Sequence, residues 1–307
     1  MTNKEKISAV FFEKGSWSLF NESDREWLMT SANEGDLQAA CLLIHGMYYK
    51  YHCWIEKFVD EETNEEVEVN RYEMTDDGTT FEPDEEAEAR LRQMVFDGKE
   101  RLSDEELFGA CRLIDQATPL YLERIRRGEE DAAWHIDDPA ILQELCDKGN
   151  KTAFEQMWYK YAYGDEVNGI FIDPKKAKEY HEKGHLDCEY EPYEMEFPCE
   201  SVYVLRGSAE ELEAVKTLVH ELTNRYGTPD NELGLYVPME ILMQTLVGSK
   251  YYRGNLLSMD TDSPDCIVLC AEANSSEPLL YALHQAFPNL EVEIGDEDEE
   301  DEIEDEE

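Results

Sequence analysis

Four stretches of this chain repeat one junction: ANEGDLQA (32–39), IRRGEEDA (125–132), CDKGNKTA (146–153) and HEKGHLDC (181–188). Each has glycine fourth, a polar residue fifth and alanine or cysteine eighth. Glycine at such a point suits the left-handed backbone that closes a helix. Gly35, Gly128, Gly149 and Gly184 are therefore read as helix stops. Asp36, Glu129, Asn150 and His185 follow in the tight turn into the next helix. The small eighth residue lets that helix lie close to its predecessor. A helix–turn–helix junction that recurs constrains residues 1–190 to stacked helical pairs, an α/α solenoid.

The span from Gly149 to Gly184 shows one whole unit. Ala153, Met157 and Tyr161 fall at steps of four on a first helix that ends near Gly164. Asp173-Pro174 supplies a cap and a first-turn proline for a second helix, which carries Ala177, Tyr180 and Lys183 along one side. At Ala153, Met157, Tyr161, Gly164, Gly169-Ile170, Asp173, Lys176-Ala177, Tyr180 and Lys183 the chain resembles the Sel-one-like repeat, a relative of the tetratricopeptide repeat. The departures are Gly184, where alanine is usual, and DEVN (165–168), inserted between the two glycines. The resemblance implies adaptor roles in assembling protein complexes. Weaker copies lie at Ser23-x-x-Glu26 before Gly35, at 83–98, at Ser103-x-x-Glu106 and at Asp138-Pro139.

His181-Glu182-Lys183-Gly184-His185 also matches H-E-x-x-H, in which two histidines one helical turn apart hold zinc and the glutamate serves as base. If a helix stops at Gly184, the two imidazoles leave a common face. The repeat explains the match, and zinc hydrolysis through His181, Glu182 and His185 is the lesser alternative.

After an acidic, proline-punctuated linker (191–200), the periodicity changes. SVYVLR (201–206) alternates like a strand, and Ser208-x-x-Glu211 opens a helix closed by Gly227. A short strand and a helix from Pro238 follow, then YYRGNLLSM, CIVLC (266–270), a helix over Leu279 to Phe287, and LEVEI (290–294). Strand, helix, two strands, helix, strand is the order of a ferredoxin-like α+β sandwich, expected over 201–295. The fold class is thus α+β. Cys266 and Cys270 are expected in its core. DTDSPDC (260–266) fails as a calcium loop because Asp265 replaces the required glycine.

The net charge is −46. Residues 60–86 carry 13 acids against Arg71, and the last 12 residues hold 11 acids plus Ile303. Such a surface disfavours direct binding to nucleic acid or anionic lipid and suits a basic protein partner. Residues 60–82 read as an acidic insertion in which EEVEVNRYEM hints at a strand, and 296–307 as a disordered tail. No apolar run approaches membrane-spanning length and none of the eight cysteines forms C-x-x-C, which points to reduced thiols in the cytoplasm. No cofactor motif and no enzyme are expected. The function read from these features is a protein–protein adaptor that uses the concave face of the helical pairs. His45, Tyr48 and His52 in one pair, and Tyr159, Lys160 and Tyr163 in another, are the candidate contacts. An acidic mimic of nucleic acid, occupying a basic DNA- or RNA-binding protein, is the second alternative.

Overall fold

The computed structural model describes residues 2–12, 19–59, 66–75, 78–186, 199–227, 237–261, 263, 265–273 and 275–295. The linker from 191 to 198 and the tail therefore lie outside the described residues. The chain is mixed α+β and divides into two compact units, Met1–Ile136 and Asp137–Glu307.

In the first unit, α1 (Asn3–Phe12), α2 (Arg25–Asn33), α4 (Glu85–Gly98) and α5 (Asp104–Leu113) surround α3 (Leu37–Tyr48). Helix α3 is apolar on nearly every side, and ten of its residues are buried, which places it at the middle of the core. The opening cap is not Ser23/Glu26. Asn21 and Asp24 form the capping box, on the 3-10 turn Glu22–Asp24 that leads into α2. Ser103 and Glu106 form the expected box on α5. A hairpin of β1 (Lys50–Val59) and β2 (Glu66–Thr75) follows α3, in register from Lys50↔Thr75 to Val59↔Glu66. The strand hinted at by EEVEVNRYEM (65–74) is present as β2. Helix α6 (Thr118–Arg126) and the 3-10 segment Glu130–His135 complete the unit.

In the second unit, α7 (Pro139–Asp147), α8 (Lys151–Tyr163) and α9 (Pro174–Gly184) precede the strands. Asp138, Asn150 and Asp173 each accept backbone N–H bonds as N-caps. Tyr161 and Tyr180 stack with ring centroids 5.5 Å apart, joining α8 to α9. The antiparallel sheet runs β4 (Val237–Pro238), β5 (Gly254–Asp260), β6 (Cys266–Ala273), β3 (Cys199–Arg206), β7 (Glu291–Gly295) in space. Helices α10 (Ala209–Tyr226) and α12 (Glu277–Ala286) follow the first and third long strands, and α11 (Met239–Val247) follows β4. Leu212, Val215 and Val219 of α10, and Leu279 and Leu283 of α12, bury against Tyr203, Leu205, Ile267 and Leu269.

Two readings of individual residues change. Cys266 and Cys270 are half-buried on the opposite sheet face from Ile267 and Leu269, beside Val202 and Arg206. An uninterrupted apolar strand does not announce which of its two faces is inward. Gly35, Gly128 and Gly149 have the expected positive φ, but Gly184 does not; His185, at φ 46° and ψ 46°, takes the left-handed cap of α9. Gly184 is required for another reason. A Cβ there would lie 2.6 Å from the Cβ of Phe154, so the residue lets α9 approach α8.

Candidate functional site

The six candidate contacts separate in the structure. His45 is buried, its Nδ1 2.9 Å from the carbonyl oxygen of Leu113, and it is a core residue. The hydroxyl of Tyr48 donates to Glu88, which raises the phenol's pKa, and Arg92 lies over the ring; the residue remains 45% exposed. His52 falls on β1, off the helix that carries His45 and Tyr48, because the aromatic and β-branched run after Tyr48 extends as a strand. Lys160 is buried, so it is no surface contact. Tyr163 is half-buried: its hydroxyl donates to the carbonyl of Tyr251 and its ring meets Tyr252 edge-on at 6.5 Å. Tyr159 is exposed and lies 4.5 Å from the Tyr163 ring. Tyr48 and Tyr159 alone of the six are described as surface residues.

What Lys160 holds is a turn. The DEVN insertion folds back on itself through reciprocal backbone bonds between Asp165 and Ile170, both 2.8 Å. Gly164 and Gly169 supply positive φ at its two ends. The Lys160 ammonium donates to Asp137 and to Asp165. Burial pulls its pKa down, but the two carboxylates outweigh burial and hold it above the ordinary lysine value. The same bond from Lys160, with a second from Asn168, keeps the Asp137 carboxyl below its usual range. Asn168 Nδ2 donates to Asp165 at 2.8 Å and to Asp137 at 3.1 Å. From α12, Gln285 clasps Ile172 by accepting from its N–H and donating to its carbonyl, at 3.0 and 3.1 Å. His284 Nδ1 sits 2.8 Å from Glu166.

This buttressing leaves Val167 89% exposed and Phe171 67% exposed, the two most exposed large apolar side chains described. Large apolar groups are often withdrawn from water, and here two of them stand exposed on a turn whose backbone is held by hydrogen bonds. The sequence reading missed both residues. The available signal was the insertion itself, four residues between two glycines where the repeat pattern needs none.

The H-E-x-x-H histidines do not converge. His181 lies on α9 with its ring 6.0 Å from that of Trp158, and His185 lies beyond the helix in left-handed backbone. Among the described residues, no group of three or more His, Cys, Asp or Glu side chains could hold a metal ion. Among them, too, no helix is long and apolar enough to cross a membrane. Comparison with protein-family models, with curated proteins and with solved structures gives no match to this chain.

Proposed function

We propose that this chain is a protein–protein adaptor whose contact surface is the turn at 164–171, flanked by Tyr159 on α8. In this reading α8 and α9 form a Sel-one-like helical pair, supported by the caps at Asn150 and Asp173 and by the Tyr161–Tyr180 stack. The strands form a ferredoxin-like sandwich with β4 and α11 inserted. The spatial order β5-β6-β3-β7, with helices after the first and third of the long strands, supports it.

The observation that carries the function is the exposure of Val167 and Phe171 on a turn fixed by Lys160, Asn168 and Gln285. Burying one such side chain in a partner yields about 1.5–3 kcal/mol. Because the turn is already ordered, little of that is lost to fixing the loop on binding. Asp165 and Glu166 lie within the turn and Asp137 beside it, and three carboxylates face one lysine and one histidine, so the partner is a protein with an apolar pocket and a basic rim.

The test is capture from lysate at controlled salt, comparing wild type with the V167S/F171S double variant and with a chain lacking 296–307. A saturable partner retained by wild type and by the shortened chain, and weakened at least about tenfold by the double variant, supports the reading. Equal capture by the double variant overturns it. Loss only on removing 296–307 favours charge mimicry instead.

A further inference from the structure

The first unit carries a second surface that the turn at 164–171 does not use. Phe108 on α5 is 47% exposed, and two guanidinium groups lie over its ring, that of Arg112 at 5.7 Å and that of Arg124 at 5.0 Å. Arg124 also reaches the ring of Tyr121 at 6.0 Å, and Tyr121 stacks on His135 with centroids 4.6 Å apart and planes 17° apart. These contacts join α5, α6 and the 3-10 segment in one stripe: Arg112, Phe108, Arg124, Tyr121, His135. Arg124 spends its Nε on Glu129 at 2.6 Å, but Arg112 is exposed with no carboxylate partner among the described residues.

The surroundings are also unusual for this protein. Residues 99–135, which span the stripe, contain six bases (99, 101, 112, 124, 126, 127) and nine acids (100, 104, 105, 106, 115, 123, 129, 130, 131), richer in bases than the chain as a whole, with 27 Lys and Arg against 73 Asp and Glu. Two of the neighbouring acids are occupied by other bases, Glu123 by Arg126 and Arg127 and Asp104 by Arg127, while Glu129 pairs with Arg124. A guanidinium over an aromatic face keeps its N–H edges available while the ring supports it from below.

We propose that this stripe is a docking site for a short acidic peptide segment of another protein, one in which carboxylates flank an aromatic side chain. The carboxylates pair with the edges of Arg112 and Arg124, and the aromatic ring packs on Phe108 and Tyr121. Two arginines suit one or two carboxylates. A nucleic acid needs many phosphate contacts, and the −46 field opposes it. The same repulsion makes the contact short-ranged, so added salt weakens it little over the moderate range in which it also screens the repulsion.

A labelled hexapeptide of alternating glutamate and phenylalanine, titrated against the full chain by fluorescence anisotropy, tests this site. Saturable binding is expected, weakened about tenfold or more by Arg112→Gln and by Phe108→Ala in variants whose thermal unfolding matches wild type. Arg225→Gln serves as a control for simple loss of charge and should leave the affinity unchanged. Absence of saturable binding, or equal weakening by Arg112→Gln and Arg225→Gln, overturns the proposal. Tighter binding of a single-stranded oligonucleotide that depends on Arg112 also overturns it.

Discussion

Single residues decide more here than their exposure suggests. Glu123 is buried on α6, where Arg126 and Arg127 donate to its carboxylate at 2.6–2.8 Å. The Arg126 bonds, helped by Arg127, outweigh burial and hold its pKa at about 2, against 4.5 for an ordinary glutamate. A depressed carboxyl stabilises the fold above its unfolded value and loses that contribution as acid protonates it. Urea unfolding as a function of pH should therefore show stability falling between about pH 4.5 and pH 2, by about 1–2 kcal/mol once solvent screening of the arginines is allowed for. Glu123→Gln should flatten that slope; an unchanged slope assigns it to other carboxylates. Gly184 makes the second residue-scale case. In an open helix Gly→Ala gains up to about 1 kcal/mol, yet a Cβ at this site meets Phe154 at 2.6 Å. Gly184→Ala should thus destabilise by about 1–2 kcal/mol, read as a lower urea midpoint with unchanged slope. The glycine's importance was legible in the sequence. Its mechanism was not, since a helix stop and a close helix contact require the same residue.

At the scale of elements, the order of helices and strands in the second unit was readable because local signals agree there: Asn150 and Ser208 each precede an apolar stripe, and Asp173 precedes a first-turn proline. The sequence did not disclose the hairpin partner β1, which continues directly from a helix and carries no glycine or proline at the change. Nor did it disclose the side-chain buttress of the turn. Lys160, Asn168 and Gln285 come from α8, the insertion and α12, and no local pattern links residues so far apart. Of the surface candidates, Tyr48 and Tyr159 were found by the rule that aromatics make contacts, and the same rule named the core residue His45. Lys160→Met tests the buttress. It strands Asp165 without its cation and should lower stability by about 3 kcal/mol. Amide exchange at Asp165 and Ile170 should rise with it, whereas unchanged protection at those two amides would show that the backbone bridge holds itself.

For the whole molecule, the division at Ile136 puts α7–α9 with the sheet instead of with the preceding helices. Ile172 belongs to the same core as Tyr203 and Leu269, and Tyr163 packs against it. Residues 137–307 should accordingly unfold as one cooperative unit in urea. Residues 199–307 alone lose Ile172 from that core and should be roughly 3 kcal/mol less stable, or fail to fold. Equal stability of the two fragments would separate the helices from the sheet energetically. A net charge of −46 repels like-charged surfaces, and the proposed apolar contact with a basic rim is compatible with that field. The most direct measurement places a photoreactive phenylalanine analogue at Phe171 in the full chain and, as a control, at Tyr226, which is 42% exposed. A discrete cross-linked protein from position 171, absent from position 226 and competed away by unlabelled wild type but not by V167S/F171S, is the expected result. The same products from both positions, or none from 171, would contradict a contact surface at the turn.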